Sequence, residues 1–107
     1  MSSFPSTLLV VQPSGVLNAA NAQALQAQLS ERIAATDSQG LMVDMSQVES
    51  LDSAGLVSLI SVLRLARSLE KRFCLCSVPP SIRIVLELTQ LDQVFEVLET
   101  APVPLAA

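Results

Sequence analysis

The chain of 107 residues has no histidine, no tryptophan and no tyrosine, and it has only three glycines. Without histidine, neither a Ser-His nor a Cys-His catalytic pair can be built. The glycines, Gly15, Gly40 and Gly55, form neither a P-loop nor a GxGxxG dinucleotide fingerprint. The sequence therefore argues against the common hydrolase, nucleotide-binding and dehydrogenase classes, and it predicts no catalytic residue and no cofactor.

Basic residues are also few, with six against ten acidic residues and a net charge of −4. Because they form no stripe and no aromatic platform accompanies them, neither nucleic acid nor an anionic membrane is predicted as a partner. The most apolar stretch, Leu56 to Leu63, meets Arg64 and Arg67 before the ~20 residues that a membrane span requires. No signal peptide is visible, so we expect a cytoplasmic protein. The basic residues are Arg32, Arg64, Arg67, Lys71, Arg72 and Arg83.

The two cysteines, Cys74 and Cys76, are two residues apart. On a strand they would point to the same side, where a disulfide between them is geometrically awkward. With no histidine and no CxxC pair, no metal site is predicted. We interpret both cysteines as small apolar residues of a buried strand.

Along the chain, compact apolar runs typical of strands alternate with segments whose apolar residues have helical spacing. The compact runs Leu8–Val11, Leu41–Val43 and Phe73–Val78 predict strands. Three- and four-residue spacing predicts a helix from Ala22 to Ile33, with Asn18 or Asn21 as its cap, and a second from Leu56 to Leu69. Pro79 and Pro80 suit the first turn of a third helix. Phe95, Val97 and Leu98 suggest a short last strand, with a helix as the alternative.

This alternation predicts an α/β fold, a small mixed, mainly parallel sheet packed by about three to four helices. We expect one domain over residues 1–107, with its core at about 8–98 and a frayed tail at 99–107. Gly15 reads as part of a turn after the first strand, and Val48 and Leu51 read as part of a short connection.

Asp52-Ser53-Ala54-Gly55-Leu56 reads as a helix start. Asp52 caps the helix, Ser53 lies in its first turn, and Gly55 permits the close approach of another backbone. A phosphate on Ser53 would meet unpaired backbone N–H groups and the positive end of the helix dipole. From the residues alone, a plain capping segment and a phosphorylation site both remain open.

Asp44 and Asp52 are the one pair of carboxylates considered as a possible catalytic pair. They would lie close together if both stood at one sheet edge. The simpler reading makes Asp52 a helix cap and Asp44, with Ser46, the end of a strand. Neither a base nor a metal-ligand set accompanies them, so no reaction is assigned to the pair.

The run from Val43 to Leu56, VDMSQVESLDSAGL, resembles the signature of the STAS domain family. In that signature an apolar strand ends in Asp, a short polar connection follows, and Asp-Ser-x-Gly-Leu opens a helix. Further resemblances, covering about Leu8 to Leu98, are Gly15 to Asn18, Cys76 to Arg83, and Leu88 to Leu91.

The resemblance implies an anti-sigma factor antagonist. In its unphosphorylated form such a protein binds an anti-sigma factor that is also a serine kinase, and thereby frees the sigma factor. The kinase phosphorylates the serine that matches Ser53, the complex separates, and a serine phosphatase resets the cycle. By this resemblance the protein is a substrate and not an enzyme. The residues expected to bind the partner or support the phosphosite are Asn18, Asp44, Ser46, Asp52, Ala54, Gly55 and Leu56.

The chain departs from the family pattern in several places. Asn18 replaces the usual acid, and Ala54 replaces a second hydroxyl, which leaves Ser53 as the sole acceptor in the motif. Because little chain precedes Leu8, we expect the family's extra N-terminal edge strand to be shortened or lost, and the tail shows no clear terminal helix. An exposed sheet edge predicts weak homodimerisation. The competing hypothesis is a STAS scaffold or transporter-associated subunit in which Ser53 is never modified.

Overall fold

The computed structural model describes residues 8–35 and 39–98, which form two parallel sheets and three α-helices. One sheet has four strands and the other has two. Within these residues no helix is long and apolar enough to cross a membrane. The strands are β1 (Leu8–Val11), β2 (Gly15–Leu17), β3 (Gly40–Asp44), β4 (Val48–Leu51), β5 (Arg72–Cys76) and β6 (Glu96–Leu98). The helices are α1 (Ala22–Ala34), α2 (Ser53–Ser68) and α3 (Pro80–Leu88), with a 3₁₀ turn at Leu91–Gln93.

The four-stranded sheet has the order β1-β3-β5-β6, with each strand parallel to its neighbour. When strands follow one another across a sheet in a single direction, crossovers of the same hand place every helix on the same face. The main core agrees with this rule, because it joins strand residues such as Leu41 and Leu75 to buried residues of all three helices. Leu29, Leu59 and Leu86 are the examples from α1, α2 and α3.

The opposite face of this sheet holds a smaller apolar cluster of Met42, Cys74 and Cys76, against which Leu98 packs. Both cysteines are free and fully buried, which confirms their interpretation as core residues of a strand. Burial raises the pKa of the Cys74 thiol to about 11, because a thiolate loses its hydration there. Its ordinary chemistry is therefore that of an apolar side chain.

The two-stranded sheet of β2 and β4 was not predicted from the sequence. Gly15 reads as a turn residue and Val48 as part of a connection, yet they are paired parallel neighbours in the structure. Strands of three and four residues leave too little alternation to be distinguished from loops. The strand predicted at Phe95 to Leu98 is confirmed in part as β6, which begins at Glu96. The predicted shortening or loss of an edge strand before Leu8 and the predicted frayed tail at 99–107 fall outside the described residues.

The helix ends follow local chemistry. Pro79 and Pro80 open α3, as predicted. The second helix ends at Ser68, and Glu70 then adopts a left-handed conformation with φ of 58°. The Glu70 N–H donates to the carbonyl of Arg67 and the Lys71 N–H donates to that of Ala66, which together form a Schellman motif. This turn directs the chain from α2 into β5.

The Lys71 side chain also caps the C-terminus of the first helix. Its Nζ donates to the carbonyl oxygens of Ile33 at 2.9 Å and Ala35 at 2.6 Å, at the C-terminus of α1. Because the last carbonyls of a helix depend on partners from outside it, we expect Lys71→Met to lower the free energy of unfolding by about 1 to 1.5 kcal/mol. Urea denaturation measures the loss. Arg64→Met removes the same charge from an exposed position of α2 and serves as the control. An equal loss in both variants would mean that the carbonyl contacts contribute nothing.

Candidate functional site

The N-terminus of α2 is organised by Asp52. Its backbone is extended, and its carboxylate Oδ1 accepts a hydrogen bond from the Gly55 N–H at 3.1 Å. Its backbone carbonyl accepts from the Leu56 N–H at 3.0 Å. The predicted cap is therefore present, and it sets the direction in which α2 leaves β4.

The small β2–β4 sheet holds this helix start in place. Leu17 and Leu51, the last residues of β2 and β4, are register partners, so the chain leaves both strands at the same end. The Leu17 carbonyl accepts a hydrogen bond from the Asp52 N–H at 3.1 Å. A Cβ atom on Gly55 would lie 2.6 Å from Leu51 Cδ1 and 3.0 Å from the Leu17 oxygen. The predicted close approach of another backbone at Gly55 is thus confirmed, and that backbone belongs to β2.

Ser53 is the first residue of α2, and its side chain is exposed. Within the described residues, its hydroxyl takes part in no hydrogen bond, and the N–H groups of Ser53 and Ala54 have no partner. The start of the helix therefore presents a free hydroxyl beside two free N–H donors and the positive end of the helix dipole. A kinase could reach this hydroxyl, and the local field would tolerate the added negative charge.

Asn18 and Asn21 build the neighbouring turn between β2 and α1. The side-chain oxygen of Asn18 accepts from the Ala20 N–H at 2.9 Å, and that of Asn21 accepts from the Asn18 N–H at 3.0 Å. The Asn21 amide also donates to the carbonyl of Val16 at 2.8 Å. Asn18 directly follows Leu17 just as Asp52 follows Leu51, so register places the two turns side by side. Asn18 therefore lies in a turn beside the one that leads into Ser53.

A groove of about 420 Å³ begins at Ser53 and runs between α1 and α2. Gln23 and Gln26 line its α1 side, and Ser53, Val57 and Ser58 line its α2 side, with alanines of both helices between them. Ser58 is 2% exposed, and its hydroxyl donates to the Gly55 carbonyl at 2.7 Å. Sequence reasoning did not find this groove, because its α1 residues carry no motif.

Asp44 and Ser46 form a second cluster, at the end of β3. The Asp44 carboxylate accepts hydrogen bonds from the Ser46 N–H at 2.9 Å and from the Gln12 side-chain amide at 3.2 Å. The four residues of β4, roughly 10 Å from first to last Cα, separate this cluster from Ser53 along the chain. Asp44 and Asp52 thus have different partners, a strand-end turn and a helix cap, which confirms the simpler reading of both. Gln12 was missed, since a lone glutamine after a strand gives no signal.

The Asp44 cluster predicts a pH dependence of stability. Partial burial raises the Asp44 pKa, but the hydrogen bonds from Ser46 and Gln12 outweigh it and hold the pKa below the ordinary 3.8. A depressed pKa contributes stability that is complete above about pH 5 and is lost as pH falls through 3.8 and below. We expect Asp44→Asn to cost about 0.5 to 1 kcal/mol at pH 7 and less at pH 2. Urea denaturation at both pH values measures the difference. A cost that is the same at both would contradict an ionised, hydrogen-bonded Asp44.

Comparisons with known proteins point to one family. A model of the STAS domain matches residues 3–102. The chain is 27% identical over 100 residues to BtrV of Bordetella bronchiseptica, whose name places it among anti-sigma factor antagonists, and the match covers 94% of this chain and 85% of the relative. A solved anti-sigma factor antagonist from Mycobacterium paratuberculosis is 31% identical, with a TM-score of 0.75 over 85% of this chain and 76% of its own.

A more distant structure shares the fold alone. It is the Bacillus cell fate determinant SpoIIAA in its phosphorylated form, which is 18% identical with a TM-score of 0.66. The match covers 87% of this chain and 81% of that one.

Proposed function

This chain belongs to the STAS domain family, and from that premise we propose that it is an anti-sigma factor antagonist switched by phosphorylation of Ser53. The observation that carries the proposal is the exposed Ser53 hydroxyl at the start of α2, which Asp52 caps. The similarity to named anti-sigma factor antagonists supports the same role. We place the protein in the cytoplasm, where sigma factors act.

In the proposed cycle the unphosphorylated chain binds an anti-sigma factor that is also a serine kinase. The contact surface is the start of α2 with the turns beside it, including Asn18, Asp52 and Ala54. Asp52 orients the first turn by capping it, while Gly55 and Leu56 seat that turn against β2 and the core. Asp44 and Ser46 extend the surface on the far side of β4.

Phosphorylation ends the complex. The γ-phosphoryl group of ATP passes from the kinase to Ser53 Oγ, ADP leaves, and the hydroxyl proton goes to a base of the kinase. The nucleotide and its metal belong to the kinase, so this chain acts as a substrate. The new group brings roughly −1.5 to −2 charge beside Asp52, and a serine phosphatase removes it.

A mass measurement tests the proposal. Wild type and Ser53→Ala are each used to capture partners from the native cytosol, and the captured anti-sigma factor is purified and incubated with each chain and ATP. We expect one added phosphate, about 80 Da, on the wild type and none on Ser53→Ala. Ser68→Ala is the control, because Ser68 is also exposed on α2 but lies fifteen residues from Ser53. It should gain the phosphate as the wild type does.

The competing function is a STAS scaffold in which Ser53 is not modified. It predicts no added mass on any of the three chains and equal partner binding by all of them. Capture of no anti-sigma factor by the wild type would also end the antagonist proposal. Phosphate on Ser53→Ala would place the acceptor elsewhere.

A further inference from the structure

The groove between α1 and α2 is free of charged residues, although the chain carries sixteen of them. Gln23 and Gln26 contribute amides, Ser53 and Ser58 contribute hydroxyls, and the remaining wall is made of Val57 and alanines. The Ser58 donor is already used within α2. A charged side chain entering this groove would meet no side chain of opposite charge, and beyond the N–H groups of Ser53 and Ala54 at the rim it would lose its hydration without compensation, which is costly.

The groove also adjoins the modification site. Ser53 and Ala54 belong both to the start of α2 and to the groove wall. A partner that covers Ser53 must cover this rim as well. Val57, one turn further along α2, is 58% exposed, and a docked protein would remove its apolar surface from water.

From these observations we propose that the groove receives an uncharged side chain of the anti-sigma factor, so that Gln23 and Gln26 of α1 belong to the docking surface. This inference rests on the proposed function. It also specifies how phosphorylation acts: a phosphate on Ser53 places a charge on the wall of a neutral groove. The entering side chain would then desolvate that charge. Because this desolvation costs free energy, the complex separates.

A charge introduced from the α1 side of the groove should reproduce this effect while Ser53 stays unmodified. Gln23→Glu is nearly isosteric and lies at an exposed position, so the fold is retained. Gln28→Glu is the matched control, because Gln28 is equally exposed on α1 but lines a different surface, beside Pro13 and Leu17. Gln23→Met tests the opposite change, from an amide to an apolar side chain.

Binding is measured by titration calorimetry with the purified anti-sigma factor captured by the wild type. We expect Gln23→Glu to weaken binding at least about tenfold, Gln28→Glu less than about twofold and Gln23→Met less than about threefold. The loss in Gln23→Glu should persist from about 50 mM to about 500 mM salt, because desolvation at a contact is screened far less than repulsion at a distance.

The outcomes separate the two proposals. If the wild type binds and Ser53→Asp weakens binding while Gln23→Glu does not, the groove inference fails and the proposed function stands. Tighter binding by Gln23→Glu would mean a basic occupant and would overturn the inference. An equal loss in Gln28→Glu would assign the effect to net charge, which also overturns it. If no anti-sigma factor binds the wild type, both proposals fail.

Discussion

We expect Ser53→Asp to weaken binding to the proposed anti-sigma factor partner by at least about 30-fold, which corresponds to ~2 kcal/mol, the lower end of the range for an uncompensated charge buried in an interface. The expected loss arises because the added carboxylate lies beside Asp52 and on the wall of the neutral groove. The helix itself tolerates the change, since negative charge at its first turn interacts favourably with the dipole. We therefore expect the free energy of unfolding to change by less than about 0.5 kcal/mol.

Titration calorimetry measures the affinity and urea denaturation measures the stability. Ser68→Asp is the matched control, because Ser68 is exposed on the same helix but lies fifteen residues from Ser53, or roughly 22 Å along the axis. It should bind within about twofold of the wild type. If Ser53→Asp binds as tightly as the wild type, charge at this hydroxyl is not the switch.

Gly55→Ala has the largest expected effect on the fold. Alanine suits a helix better than glycine by about 0.5 to 1 kcal/mol, so local propensity alone predicts stabilisation. The added methyl would lie 2.6 Å from Leu51 Cδ1 and 3.0 Å from the Leu17 carbonyl oxygen. The Leu51 side chain can rotate away, but the Leu17 carbonyl is held by its hydrogen bond to the Asp52 N–H. Backbone overlap therefore decides the sign, and we expect a net loss of about 2 kcal/mol.

Thermal unfolding measures this loss as a fall in Tm of roughly 10 °C. Leu51→Ala combined with Gly55→Ala tests the cause. It removes the contact with Leu51 but keeps those with the Leu17 oxygen and Leu17 Cβ, so it should recover only part of the loss relative to Leu51→Ala alone. Gly15→Ala is the comparison for backbone strain without a steric clash. Gly15 has a φ of 79°, and an added Cβ there would have nothing within 4 Å. A stabilised Gly55→Ala would show that β2 does not hold α2 in place.

The elements predicted from the sequence are those with a full period of apolar residues. The second helix has apolar residues at helical spacing, and β3 and β5 are compact apolar runs. In each of these elements the buried apolar residues determine the conformation. The β2–β4 pair was not predicted because neither strand is long enough to show alternation. In addition, β2 begins at Gly15, and glycine is more common in turns than in strands. Their pairing depends on contacts between distant parts of the chain.

The candidate site divides in the same way. Asp52, Ser53 and Gly55 are visible in the sequence because capping, exposure at a first turn and backbone proximity each need a particular residue type. Gln23 and Gln26 are not, because a glutamine on the outer face of a helix looks the same whether it borders a groove or solvent. Only the packing of α1 beside α2 turns that face into the wall of a groove.

The hydrogen bonds and packing that locate residue 53 make no use of its own side chain. They run from Asp52 to Leu17 and from Gly55 to Asp52, and Gly55 packs against β2. A single codon change at position 53 can consequently add or remove a phosphoacceptor while the architecture stays intact. If Ser53 is the proposed switch, regulation and foldability are separable traits in this domain, and mutation at this position can remove or restore the switch without passing through an unstable intermediate.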